Sequence, residues 1–238
     1  MMNQWLEDRC WSNYPLIKGD ICAVALNFNG LGGGVCTQWY PLELGLAEKN
    51  ILTITPYYGP WSWMNRQSRM FVDELVERVY ADLQLSEDIP LVSCGGSMGG
   101  CASLLYCRYG KKAAIACDAL YPVCDVKWHF RERSDIAPSM CRAFYGYDAP
   151  WEEVLEEQSP LCQVDFMPHI PYLFIHGEDD QAVNIGHSEK MTAALLERGH
   201  QVEFIRVPNM GHARNVPLQV WQKRIDFVVD SVKNYKNI

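Results

Sequence analysis

The chain has 238 residues, 48% of them hydrophobic, and a formal net charge of −8. That size and apolar content suit one globular domain with a substantial core. The acidic balance and the lack of a basic run argue against a nucleic-acid partner, and no apolar stretch approaches the roughly 20 residues a membrane-spanning helix needs.

Residues 1–20 are polar and mixed in charge, without the apolar core of an export signal. None of the ten cysteines forms a C-x-x-C pair, so neither a zinc site nor a thioredoxin-type site is indicated. Cys22, Cys94 and Cys117 sit inside apolar runs, where a reduced thiol packs as a small core residue. A reducing, cytoplasmic setting is therefore expected.

Along the chain, apolar runs of strand length alternate with helix-length amphipathic segments. Strands are expected at residues 21–27, 51–55, 89–94, 113–118, 171–175 and 202–207. Their continuous apolar character suits parallel strands buried on both faces. Between them, Phe71, Val72, Leu75, Val76, Val79 and Leu83 share a helical face, as do Trp221, Ile225, Val228 and Val232; residues 188–198 read as a further helix ended by Gly199. The alternation predicts an α/β fold with an open, mostly parallel sheet and helices on both sides. Residues 125–167 break the rhythm. They are long, mixed and rich in aromatics, and are read as a lid or else a padded crossover.

The first strand is followed by Asn27-Phe28-Asn29-Gly30-Leu31-Gly32-Gly33-Gly34, whose glycines let the backbone approach a ligand. The loop lacks both common phosphate-binding patterns. The second strand leads into a segment with Tyr57, Tyr58, Trp61 and Trp63, placed either on a binding rim or in the packing beneath it. The third runs Leu91-Val-Ser-Cys-Gly-Gly-Ser97-Met-Gly-Gly100, an apolar strand ending in G-x-S-x-G before an apolar helix. That is the pattern of a nucleophile elbow: a sharp turn that exposes the Ser97 hydroxyl and leaves the Met98 amide at a helix N-terminus, where it can hold a developing oxyanion.

An activated serine needs a base, and the base needs a carboxylate to orient it, in the chain order serine, acid, histidine. His212, on the loop after the last strand, is the candidate base. Glu178, Asp179 and Asp180 are adjacent on the preceding loop, where a turn would direct one of them to His212; Asp125 is an outside candidate. His176 reads as structural, His187 and His200 as exposed flanks of a helix, and His129 and His169 carry no assigned role.

Taken together, these motifs resemble the α/β-hydrolase superfamily, and most closely the catalytic domain of the prolyl oligopeptidase family and related small serine esterases. Ser159-Pro160, the run Pro171-Tyr-Leu-Phe-Ile-His-Gly-Glu-Asp-Asp180, the helix after it, Gly211-His212 and the elbow all carry the likeness. The resemblance implies Ser97 as nucleophile, His212 as base and Asp180 as acid, since the last residue of the family's His-Gly-x-x-Asp pattern is the acid. The Leu31 amide would join that of Met98 as oxyanion donor, although Asn29 stands where many hydrolases have histidine. Asn184 stands where the family often has proline. The resemblance implies one domain over residues 1–238, a sheet of about six to eight strands with its antiparallel opening strands missing or reduced, and no metal or organic cofactor. With no room for a β-propeller, a small ester is favoured over a short peptide. A peptidase, an acyltransferase and a non-catalytic binding protein remain alternatives. Tyr58, Trp61 and Trp63 are candidate substrate contacts, and a homodimer through an exposed sheet edge is compatible with this reading.

Overall fold

In the computed structural model, which describes residues 2–236, the chain opens with a one-turn helix α1 (Gln4–Glu7) and a short strand β1 (Cys10–Ser12). Strand β2 (Ala23–Phe28), helix α2 (Pro41–Ala47), strand β3 (Ile51–Pro56), helix α3 (Arg66–Asp82), strand β4 (Leu91–Gly96), helix α4 (Met98–Tyr109) and strand β5 (Ala114–Leu120) follow. Helices α5 (Val126–Glu132), α6 (Ala137–Ala143) and α7 (Trp151–Glu157) and a 3-10 turn (Pro160–Phe166) fill the next connection. The chain then closes with β6 (Tyr172–Gly177), α8 (Gly186–Glu197), β7 (Val202–Val207) and α9 (Leu218–Lys236).

The strands form a seven-stranded open sheet in the order β1-β3-β2-β4-β5-β6-β7. All neighbours from β3 to β7 run parallel; only β1 is antiparallel, pairing Cys10 with Pro56 and Ser12 with Ile54. The expected reduction of the opening antiparallel strands is thus a single strand of three residues, too short to leave a periodic signal. The count of seven falls within the expected range, and the fold is that of an α/β-hydrolase.

Alternation along β2 explains why both faces are covered. Val24, Leu26 and Phe28 point into a cluster with Val72 and Leu75 of α3 and Cys101 and Leu105 of α4. Ala23 and Ala25 point the other way, against Leu42 and Leu46 of α2 and Ile225 and Val228 of α9. Apolar residues on successive positions therefore each find a helix layer.

The parallel strands shift by a few residues from the sequence reading, mostly toward their C-terminal ends. β4 takes in Gly95 and Gly96, and β5 extends from Asp118 to Leu120. His187 and His200, read as exposed, are buried, at 0% and 6% exposure. His200 stacks on His169, and His187 stacks on Trp128.

Residues 125–167 are joined to the main core, since Met140, Phe144, Val154 and Leu155 are buried in the same cluster as α3 and α4. Polar ties fasten them to the segment after β3: the Trp63 indole donates to Ser139 Oγ (2.9 Å), Asn65 Nδ2 to the Ala143 carbonyl (2.8 Å) and the Arg66 amide to the Tyr147 hydroxyl (2.6 Å). Among the described residues, no helix is long and apolar enough to cross a membrane.

Candidate active site

Ser97 occupies the turn between β4 and α4 with φ 62° and ψ −126°, a region L-residues avoid. The surroundings hold it there. Its amide donates to the Leu120 carbonyl (3.0 Å), and its own carbonyl accepts from Cys101 (3.1 Å) and Val123 (3.3 Å). The turn is tight enough that a Cβ at Gly99 would lie 2.0 Å from the Phe28 carbonyl oxygen, so glycine is required by contact alone.

His212 comes from the loop after β7 and Asp180 from the loop after β6. The two loops are bound to each other: the Glu178 amide donates to the Val207 carbonyl (3.0 Å) and the Asp179 amide to the Met210 carbonyl (3.2 Å). His212 Nε2 lies 2.9 Å from Ser97 Oγ, and His212 Nδ1 lies 2.7 Å from Asp180 Oδ2. Asp180 is ionised in this setting. Burial alone would raise its pKa, but hydrogen bonds from His176, His212 and the Val183 amide outweigh burial and hold the carboxyl well below the usual carboxylate range. An ionised carboxylate only accepts, so His212 carries its proton on Nδ1 and offers the Nε2 lone pair to the Ser97 hydroxyl. Tyr121 braces the imidazole, its ring centroid 4.6 Å away.

Of the three adjacent acids, Asp180 alone is buried; its Oδ1 accepts from the Ala182 and Val183 amides (both 2.9 Å), while Glu178 and Asp179 are exposed. Asp125 is committed elsewhere, capping α5 through the Trp128 amide (2.9 Å). His176 is fully buried, with Nδ1 2.8 Å from Ser188 Oγ and Nε2 3.0 Å from the Val183 carbonyl. Asn184, the departure from proline, caps its own turn by accepting from the Gly186 amide (2.9 Å).

The Gly-rich loop lies directly against the serine: a Cβ at Gly30 would stand 3.5 Å from that of Ser97. Among the described residues, neither the Leu31 nor the Met98 amide donates to a protein acceptor. Ser97, His212 and Leu31 open into one cavity of about 440 Å³, within the range of small-molecule sites. Its lining includes Trp63, His129, Arg133, Ile136 and Val183, together with Tyr40, Leu42, Glu43, Trp221 and Arg224.

The aromatic candidates separate. Trp63 lines this cavity. Tyr58 and Trp61 do not. Tyr58 is buried and donates its hydroxyl to the Asn29 carbonyl (2.8 Å), supporting the Gly-rich loop; Trp61 is 51% exposed and faces Gly32. His129, Tyr121 and Arg224 went unassigned in the sequence. His129 lay in a segment without periodicity, Tyr121 beyond the apparent end of its strand, and Arg224 on a helix face that reads as ordinary amphipathic surface.

A prolyl oligopeptidase family model matches residues 71–234. The chain belongs to the prolyl oligopeptidase family. That family is one of serine hydrolases within the α/β-hydrolase superfamily, whose fold this chain shares. Solved structures of the same fold include a puromycin-hydrolyzing peptidase from Mycobacterium tuberculosis (17% identity, TM-score 0.68, 92% of this chain and 34% of that one). An acylaminoacyl peptidase from Pyrococcus horikoshii matches at 16% identity and TM-score 0.70, over 88% of this chain and 37% of that one. Est1E from Butyrivibrio proteoclasticus matches at 15% identity and TM-score 0.63, over 90% of each chain. The chain thus spans about a third of the length of the first two structures. No curated protein matches the sequence.

Proposed function

We propose that this family member hydrolyses a small carboxylic ester through an acyl-enzyme formed on Ser97. The observation that carries the reading is the hydrogen-bonded series Ser97–His212–Asp180 at the wall of a cavity sized for a small molecule. In this scheme Ser97 Oγ attacks the ester carbonyl as its proton passes to His212 Nε2, and Asp180 stabilises the imidazolium and fixes its orientation. The Met98 and Leu31 amides hold the oxyanion. The imidazolium protonates the departing alkoxide. Water, deprotonated by His212, then releases the acid and restores the serine. Residues 125–167 serve as a fixed lid that shapes the substrate cavity, all within one domain. Partly apolar walls from Trp63, Ile136, Val183 and Leu42 suit a small acyl or alcohol group.

A short peptide is the second reading, favoured by the peptidases among the matched folds and served by the same acyl transfer. The non-catalytic alternative fits poorly with three side chains in hydrogen-bonded order.

The test is labelling by a fluorophosphonate probe, with Ser97→Ala as control, alongside p-nitrophenyl esters and peptide p-nitroanilides. Labelling that disappears in Ser97→Ala, with turnover lower by about four to six orders of magnitude, is the expected result. A folded protein that neither labels nor turns over any of these substrates overturns the reading.

A further inference from the structure

On the α5 side of the cavity stands a histidine that the acyl-transfer scheme does not use. His129 is 1% exposed and lines the same cavity as Ser97 and His212. Its Nδ1 is buried without a partner. Among the described residues, its Nε2 has no protein partner either. Buried polar groups of this kind are rare, because a donor or acceptor withdrawn from water without a partner is destabilising.

The neighbour behind it is His187, whose ring meets that of His129 edge to face with centroids 5.4 Å apart. The Asp125 amide donates to His187 Nδ1 (3.1 Å), so a neutral His187 carries its proton on Nε2. That Nε2 is also buried and unpartnered. Both rings are neutral, burial being the leading cause of their lowered pKa, which for His129 falls to about 4.

A nitrogen of each ring and a carboxylate oxygen of Glu132 lie within 4.8 Å of one another, a spacing that would admit a cation. The Asp125 amide opposes that use. It occupies the Nδ1 lone pair of His187 and leaves only a protonated nitrogen, whereas metal-bound histidines offer one lone pair and donate from the other nitrogen. No hydrogen bond joins the two rings as they stand, but a small ring rotation or one bridging water would let His187 Nε2 donate to His129 Nδ1, the two unpartnered nitrogens being complementary. Glu132, exposed and 4.0 Å from His129 Nδ1, is beyond hydrogen-bond distance. Accepting that bond at Nδ1 would leave the His129 proton on Nε2.

We propose that His129 is a specificity-determining residue of the acyl side of the cavity, its Nε2–H donating to a neutral oxygen, ether or carbonyl, carried by the acyl group of the substrate. Trp63, Ile136 and Val183 enclose the remainder of that group. His187 acts as a positioning residue that sets the tautomer; it does not line the cavity. This inference rests on the acyl-transfer reading.

The experiment compares p-nitrophenyl methoxyacetate with p-nitrophenyl butyrate, which differ by one ether oxygen in place of a methylene. The ratio of their kcat/KM values is divided by the ratio for hydroxide-driven hydrolysis to remove intrinsic reactivity. In His129→Leu that ratio is expected to fall about tenfold, the contribution of one hydrogen bond, and in His129→Gln to be partly retained. His187→Leu is expected to lower it as well. An unchanged ratio in a His129→Leu protein that still labels with fluorophosphonate overturns the proposal and leaves the acyl-transfer reading standing. Failure of the unmodified protein to label overturns that reading instead. Nitrogen-15 NMR reads the tautomer without any activity: a His129 proton on Nδ1 overturns the proposal by itself.

Discussion

Gly177, at the end of β6, packs so closely on Met210 that a Cβ added to it would lie 2.0 Å from the Met210 carbonyl oxygen. The contact holds the loop that carries Asp180 against the loop that carries His212. Gly177→Ala must part them, at a cost of about 1–3 kcal/mol in stability from overpacking. Because a displacement near 1 Å can lower turnover about 100-fold, ester hydrolysis is expected to fall further than the melting temperature suggests. Steady-state kinetics beside a thermal melt checks this; a variant with full turnover would show that the two loops find their register without the contact.

A second expectation concerns acid. His129 has a folded-state pKa of about 4, lowered from 6.5 by burial first and by the charges of Arg133 and His212 next, with Asp135 and Asp180 opposing. Between those two values the unfolded chain binds a proton that the folded chain refuses. Stability contributed by this group is therefore complete above pH 6.5 and is lost as pH falls toward 4, by about 3 kcal/mol over the window. His187 has the same sign. The contribution of Asp180, whose folded pKa is depressed, is lost only below the ordinary carboxylate pKa of about 4, so the two effects occupy different windows. Urea unfolding at pH 7 and pH 4.5 should show a loss in the unmodified protein and a smaller loss in His129→Leu. Equal losses would remove His129 as the source.

At the cavity wall, Arg224 of α9 donates from Nε to Asp118 Oδ2 of β5 at 2.7 Å, with both residues buried. Each has a further atom without a partner, Arg224 Nη2 and Asp118 Oδ1. Removing one charge strands the other in the interior. Arg224→Met is expected to cost about 3–5 kcal/mol, and the double change Asp118→Leu/Arg224→Met to recover much of that, since an apolar pair often replaces a buried ion pair at little cost. Denaturant midpoints for the two variants check the order. A double variant no more stable than the single would place the cost in packing rather than in charge.

The parallel strands were readable because each is a continuous apolar run between two helix layers, as the alternation of Val24 and Leu26 against Ala23 and Ala25 shows. Ser97, Asp180 and His212 stood out as candidates because each lies at or shortly after a strand end, where the fold gathers side chains from distant parts of the sequence. The resemblance selected Asp180 from three neighbours; the structure supplies the physical ground, since its carboxylate alone is turned inward onto two amides. What escaped depends on contacts between segments far apart in sequence. His187 flanks a polar helix start, yet Trp128 covers it. Trp61 and Trp63 differ by two positions, and only the fold decides that one faces solvent and the other Ser139. β1 exists because β3 offers it an edge.

The segment inserted between β5 and β6 supplies His129 of α5, and Arg133 and Ile136 of the link from α5 to α6, to the cavity, while Ser97, Asp180 and His212 lie on turns and loops after strands outside that stretch. On the proposed reading, the reacting groups and this part of the cavity wall come from different stretches of the chain. On that reading residues 125–167 act as a cassette in their inward-facing positions alone: exchange of those side chains would retune which molecules enter, while the buried ones keep the segment anchored to the core and the trio keeps its register.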